Sequence, residues 1–95
     1  MHNATNAVLD RIASRNGLRS DYALAKAFGR QQSFVTNYRS GRSQMSDDIA
    51  VKAANLADED PALLLIELQI ERTKSPEARE QYLRAANMLR KALAA

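Results

Sequence analysis

Apolar residues along the chain return at spacings of three and four in six stretches, divided by Gly, Pro, Ser or clustered acids. That pattern predicts amphipathic helices. Val8, Leu9, Ile12 and Ala13 form one stripe between Thr5 and Asn16, with Asp10, Arg11 and Arg15 left to water and Gly17 as the stop. Ser20 is placed to cap a short second helix, Asp21 to Phe28, which buries Tyr22 or Leu24, Ala25 and Phe28 in some combination and ends at Gly29. In the run RQQSFVTNYRSGR, Val35 and Tyr38 recur three apart among mostly polar positions. This predicts a short helix, about Gln32 to Ser40, with a narrow buried stripe and a wide polar face, stopped by Gly41.

The second half repeats the logic. Ser46 caps a fourth helix to about Ala57, with Asp47 and Asp48 in its first turn and Ile49, Ala53 and Leu56 as its expected inner face. Asp60 and Pro61 start a fifth helix through about Arg72. Its residues Leu63, Leu64, Leu65, Ile66, Leu68 and Ile70 surround more than one side, so it is either the central core helix or one packed on both the core and a partner subunit. Ser75 and Pro76 start the last helix, to about Ala92, presenting Tyr82, Leu83, Ala86, Leu89 and Leu93; Glu80 and Arg84, four apart, offer surface support of roughly 0.3 kcal/mol.

Composition agrees with helices. Seventeen Ala against three Gly and two Pro, with few β-branched residues, argue for an all-α fold, and 95 residues suit one small domain. Charge changes the picture more. The formal total is only +3, but residues 1 to 42 hold seven basic and two acidic side chains, net +5, whereas residues 43 to 95 hold seven and nine, net −2. A polyanion would bind the first half.

Candidate chemistry is thin. Zero Cys excludes disulfides, thiolate nucleophiles and Cys-ligated zinc, and fits a reducing compartment. His2, the single histidine, reads as a solvated bystander. Asp47 with Asp48, and the run Asp58, Glu59, Asp60, have ordinary capping or surface roles, and no phosphate-cradling loop or dinucleotide fingerprint is present. The expectation is a protein that is not an enzyme, needs no cofactor or metal, and works in the cytoplasm away from membranes, since no apolar run is long enough to span one and the start MHNATN lacks signal-peptide character.

The informative stretch is Tyr22 to Arg42: an alanine-rich short helix, a glycine-centred turn and a second short helix with a polar outer face. A small residue at Ala25 lets two helices cross closely, and Gly29 lets the turn be tight. In Leu24, Ala25, Phe28, Gly29, Gln32, Ser33, Val35, Asn37, Tyr38 and Gly41 the chain resembles the phage repressor type of helix-turn-helix, the group of lambda repressor and Cro. The resemblance covers roughly residues 5 to 70. It implies a lambda-repressor-like five-helix DNA-binding domain, residues 1–73, followed by an additional C-terminal helix, 74–95, that packs on the core or dimerises.

It also implies a helix lying in the major groove, with Gln32, Ser33, Phe34, Thr36 and Asn37 as base-reading candidates. Gln can pair with adenine, and Ser and Thr can donate or accept, whatever the family. Arg30, Arg39, Arg42, Lys26, Arg19 and Ser43 are candidates for positioning on phosphates, with Arg11 and Arg15 either joining them or remaining surface charges. Two departures from the pattern are Gln31, where a capping Ser or Thr is common, and Arg30, where an aliphatic residue often lies beneath the turn. Phe34 is bulkier than usual and contacts a thymine methyl, inserts beside a base, or packs on a neighbouring helix. Tyr22, Val35 and Tyr38 read as packing residues.

The resulting expectation is a phage or prophage repressor, nucleoid-associated in a bacterial host, that binds double-stranded DNA as a homodimer through helices five and six, with Leu64, Leu68, Tyr82, Leu89 and Leu93 as the dimer candidates. The alternative is a protein-interaction adaptor that keeps the fold without reading DNA.

Overall fold

The structure is a computed structural model that describes residues 3–95; His2 lies outside them. Six helices follow in order: α1 (Ala4–Asn16), α2 (Asp21–Ala27), α3 (Gln32–Arg39), α4 (Asp47–Leu56), α5 (Pro61–Arg72) and α6 (Pro76–Ala94). Together they make a compact all-α domain.

Capping chemistry sets these boundaries. The side chains of Asn3, Ser20, Ser46, Asp60 and Ser75 each accept a hydrogen bond from a backbone N–H in the first turn of α1, α2, α4, α5 and α6 respectively. At the other ends, four helices close in the same way. Gly29 N–H donates to the Lys26 carbonyl and Arg30 N–H reaches back to the Ala25 carbonyl at 3.0 Å; equivalent closures occur at Gly17, Gly41 and Asp58. These turns need a left-handed residue. Gly29 has φ 70° and Gly41 φ 80°, with open space where a Cβ would stand, so glycine is required there by backbone conformation and not by crowding. Asp58 adopts φ 56°, a conformation Asp tolerates better than most residues.

One core joins five helices. Val8, Leu9 and Ile12 of α1 are fully buried with Leu24 and Ala25 of α2, Val35 of α3, and Ala50, Ala53 and Ala54 of α4, while Leu64 and Leu68 of α5 are nearly so. The inner face of α4 differs from the expected one. Ala50, Ala53, Ala54 and Ala57 are buried, and Ile49 and Leu56 lie half-buried at its edges. Close contact of α4 with α1 and α5 explains this, since an alanine face lets helix axes approach to about 8 Å whereas Ile and Leu fill the wider gaps at the sides.

Four further expectations are corrected. Tyr22 is 54% exposed, with the Lys26 ammonium over its ring; α2 is only seven residues long, and Leu24, Ala25 and Phe28 already fill its buried side. Leu64 and Leu68 are core residues and cannot serve as dimer contacts. α6 packs chiefly on α5, and of its expected apolar set only Ala86 is fully buried. The surface pair Glu80 and Arg84 does not form; instead Arg90 reaches Glu67 of α5 at 3.1 Å.

Met45, in the loop before α4, is fully buried and its carbonyl accepts a hydrogen bond from the Arg72 guanidinium, so the loop following α3 is pinned to the core from both side chain and backbone. Met45→Ala is therefore expected to lower stability by roughly 2–5 kcal/mol, read from the midpoint of urea unfolding followed by circular dichroism. A loss below about 1 kcal/mol would mean the loop is not anchored there.

Candidate nucleic-acid interface

α3 is held by a narrow inner side. Val35 is fully buried and Tyr38 is 6% exposed, three residues apart, so the opposite side faces outward. Gln32, Ser33 and Thr36 are exposed there, and Asn37 is half-buried at its margin. The Thr36 hydroxyl donates back to the Gln32 carbonyl at 3.2 Å, which commits its proton and leaves its lone pairs and methyl group outward. Thr36 can thus accept from a ligand amino group or touch a methyl, but does not donate in this arrangement. The Asn37 carbonyl receives Arg42 N–H at 2.9 Å and Ser43 N–H at 3.2 Å, folding the following loop back against the helix end. Arg42 and Ser43 are exposed beside it.

At the helix start, Gln31 makes no side-chain cap, as its residue type implied, and its carbonyl instead accepts the Phe34 N–H at 3.0 Å. Between the turn and the helix lies a shallow hollow of about 420 Å³ lined by Gly29, Arg30, Gln31, Ser33, Phe34 and Asn37. Phe34 forms one wall. Its ring stands 5.3 Å from Phe28 and 4.9 Å from Tyr38, so of its three readings packing is the one the structure contains. The Arg30 guanidinium lies over the same ring at 5.1 Å, taking the place of the aliphatic residue usual at this turn while keeping its charge at the surface. Burial pushes the Tyr38 phenol above its ordinary range, with Arg30 opposing the shift. Its ionisation therefore favours unfolding as pH rises past the free-tyrosine range.

The cations divide into two groups. Arg11 is paired with Glu59, whose hydrogen bond raises the guanidinium pKa further against the cost of burial, and Arg15 pairs with Asp58 at 3.5 Å. Both acids lie in the turn between α4 and α5, so these arginines are partly neutralised away from α3. Arg19, Lys26, Arg30 and Arg42 make no ion pair among the described residues, and all four are exposed on or beside α2 and α3.

Arg39 stands apart from its expected phosphate-positioning group. Four residues after Val35, it lies on the flank of α3 that meets α1 and α2, and its guanidinium pairs with Asp10 at 2.8 Å and Asp21 at 3.6 Å. The same group also reaches the Asn6 carbonyl at 3.4 Å. One side chain thereby ties α3 to both preceding helices.

No protein-family model, curated protein or solved structure matches the chain. The outer side of α3 and its surrounding cations therefore carry the functional argument by their own geometry. Of the acidic run before α5, Asp60 caps that helix and Glu59 and Asp58 hold arginines, and no group of ligating side chains that could hold a metal occurs among the described residues.

Arg39→Gln is expected to destabilise the fold by about 1 kcal/mol at low salt, with the gap to the wild type narrowing as salt rises. Urea unfolding at two ionic strengths measures it; an unchanged midpoint at low salt would show that the bridge does not hold α3.

Proposed function

We propose that this chain is a sequence-specific double-stranded DNA-binding transcriptional regulator of the phage repressor type, built as a five-helix helix-turn-helix unit with an added C-terminal helix. The observation that carries the reading is the outer side of α3: a row of exposed Gln32, Ser33 and Thr36, free of duties in the core, framed by the unneutralised cations Arg19, Lys26, Arg30 and Arg42. Polar groups able to address base edges, flanked by charges able to hold phosphates, form the combination that groove reading needs.

In this reading Gln32 pairs with adenine through its amide, Ser33 and Asn37 contact base edges or nearby phosphates, and Thr36 accepts from a base amino group or packs on a thymine methyl. Arg30 and Arg42 contact phosphates at the two ends of α3, Arg19 and Lys26 extend that contact along α2, and Ser43 adds a backbone contact. Phe34 supports the surface from beneath, and Arg39 orients α3. A single eight-residue helix contacts few base pairs, so two copies on a near-palindromic operator, with recognition helices about 34 Å apart, supply the affinity. The action is occupancy of a promoter in a bacterial host, as a phage or prophage repressor, and not catalysis.

Gel-shift titrations against selected and random duplexes test this. A selected site should bind at least about 1,000-fold more tightly than random duplex at physiological salt. Gln32→Ala should reduce discrimination at one base pair by about 1–3 kcal/mol, while Arg42→Ala should weaken all duplexes alike and lower the salt slope by about one. Selected and random duplexes binding equally weakly would overturn the regulator reading and favour a protein-interaction adaptor on the same scaffold.

A further inference from the structure

The start of α1, the last turn of α3 with the loop after it, the last turn of α5 and the first turn of α6 meet around a cleft of about 470 Å³. Leu68 and Tyr38, both core residues, form its apolar part. Thr5 also lines it and is only 8% exposed. The Thr5 hydroxyl makes no hydrogen bond among the described residues, and none of their buried polar side-chain atoms is both sealed and unpartnered, so this oxygen opens to the cleft. A valine would fill the same space, so packing does not account for a hydroxyl there. Ser43, Gln44 and Arg79 line the cleft too, and their side chains make no hydrogen bond or ion pair among the described residues. Two neighbours are already committed: Arg72 donates to the Met45 carbonyl, and Glu71 accepts the Ala4 N–H. The uncommitted groups are therefore hydroxyl, amide and guanidinium donors, in a lining that sets two cations against one carboxylate.

We propose that this cleft binds a small organic acid, a carboxylate or phosphate monoester carried on a compact apolar body. The Arg79 guanidinium takes the anionic group, because its planar fork matches the oxygens of either one. The Thr5 and Ser43 hydroxyls and the Gln44 amide supply further donors, and Leu68 and Tyr38 receive the apolar body. A few convergent polar groups on a partly apolar lining, in a space of this size, are the ordinary make-up of a small-molecule site. Such a ligand rests on Tyr38, which seats α3, and on the loop that follows α3, so its binding restrains the end of that helix from the inner side. Gln32, Ser33 and Thr36 take no part in the cleft. The site goes beyond the regulator reading and does not rest on it, since it is measured without DNA and either can fail alone.

Titration of the isotopically labelled full chain with benzoate and with phenyl phosphate, followed by its amide resonances, tests this. Benzyl alcohol presents the body without the charge, and inorganic phosphate the charge without the body. A ligand of about nine non-hydrogen atoms should reach a dissociation constant of about 1 mM. Saturable shifts gathered at Thr5, Gly41, Ser43 and Arg79 with either acid support the site, and the tighter acid names the anionic group. Arg79 is exposed, so Arg79→Gln should keep the helical circular dichroism of the wild type while weakening binding about tenfold. Arg84→Gln makes the same change of charge outside the cleft and should alter binding by less than about twofold. Thr5→Val, which keeps the shape and removes the hydroxyl, should weaken it about threefold to tenfold. The proposal is overturned if neither acid gives saturable shifts at about 20 mM, or if the shifts centre outside the cleft. Benzyl alcohol or inorganic phosphate binding as tightly as the acids, Arg79→Gln no weaker than Arg84→Gln, or Thr5→Val as tight as the wild type overturns it equally.

Discussion

A helix of eight residues does not persist in water unaided, because too few hydrogen bonds offset the cost of nucleating it. α3 is such a helix, and it also lacks a side-chain cap at Gln31. Its existence is therefore a property of its surroundings. Val35 and Tyr38 seat it in the core, and the backbone closures at Gly29 and Gly41 fix the chain on either side. Arg39 binds it laterally to Asp10 and Asp21. Because these restraints all act from the inner side, the ends or one flank, the outer residues Gln32, Ser33 and Thr36 carry no structural load. A surface relieved of load is free to be selected for contact with a ligand.

The same separation explains the placement of large and small side chains. α2 must lie close beneath α3, and Ala25, fully buried, permits that approach while Leu24 and Phe28 fill the space around it. Lys52 of α4 donates to the Phe28 carbonyl at 3.1 Å, satisfying an acceptor at the end of α2 that the turn would otherwise expose. Met45 then returns the chain to the core directly after α3. The pair α2 and α3 is thus fixed before and after by residues outside it, a consequence of helices too short to stabilise themselves.

Helix boundaries were legible in the sequence because caps are local: Ser20, Ser46, Asp60 and Ser75 each bond to an amide two or three residues on, and glycine marks the left-handed closures. What depended on residues far along the chain was not. Nothing near Arg39 in sequence reveals that Asp10, 29 positions earlier, will neutralise it. The inner side of α4 was misplaced because periodicity favours Ile and Leu as core residues, whereas two neighbouring helices at once favoured Ala. Tyr22 was overvalued for a similar reason, since apolar character alone does not say how many buried positions a seven-residue helix has to fill. Of the candidate site, the polar residues of α3 were readable from spacing; which cations stay unpaired was visible only once the acids of the second half had been brought round to meet the first.

That meeting gives the uneven charge distribution its physical meaning. The basic half carries net +5 as sequence. On folding, Glu59 and Asp58 from the acidic half take Arg11 and Arg15, and Asp10 and Asp21 take Arg39, so the positive charge that remains unpaired is Arg19, Lys26, Arg30 and Arg42 around α2 and α3. Pairing does not create this field; it removes competing positive charge elsewhere and so sharpens where the field points. Exposed pairs of this kind add little stability each, at most about 1 kcal/mol. Their larger effect is directional: an approaching polyanion meets uncompensated charge beside the exposed polar side of α3, within a Debye length of about 8 Å at physiological salt.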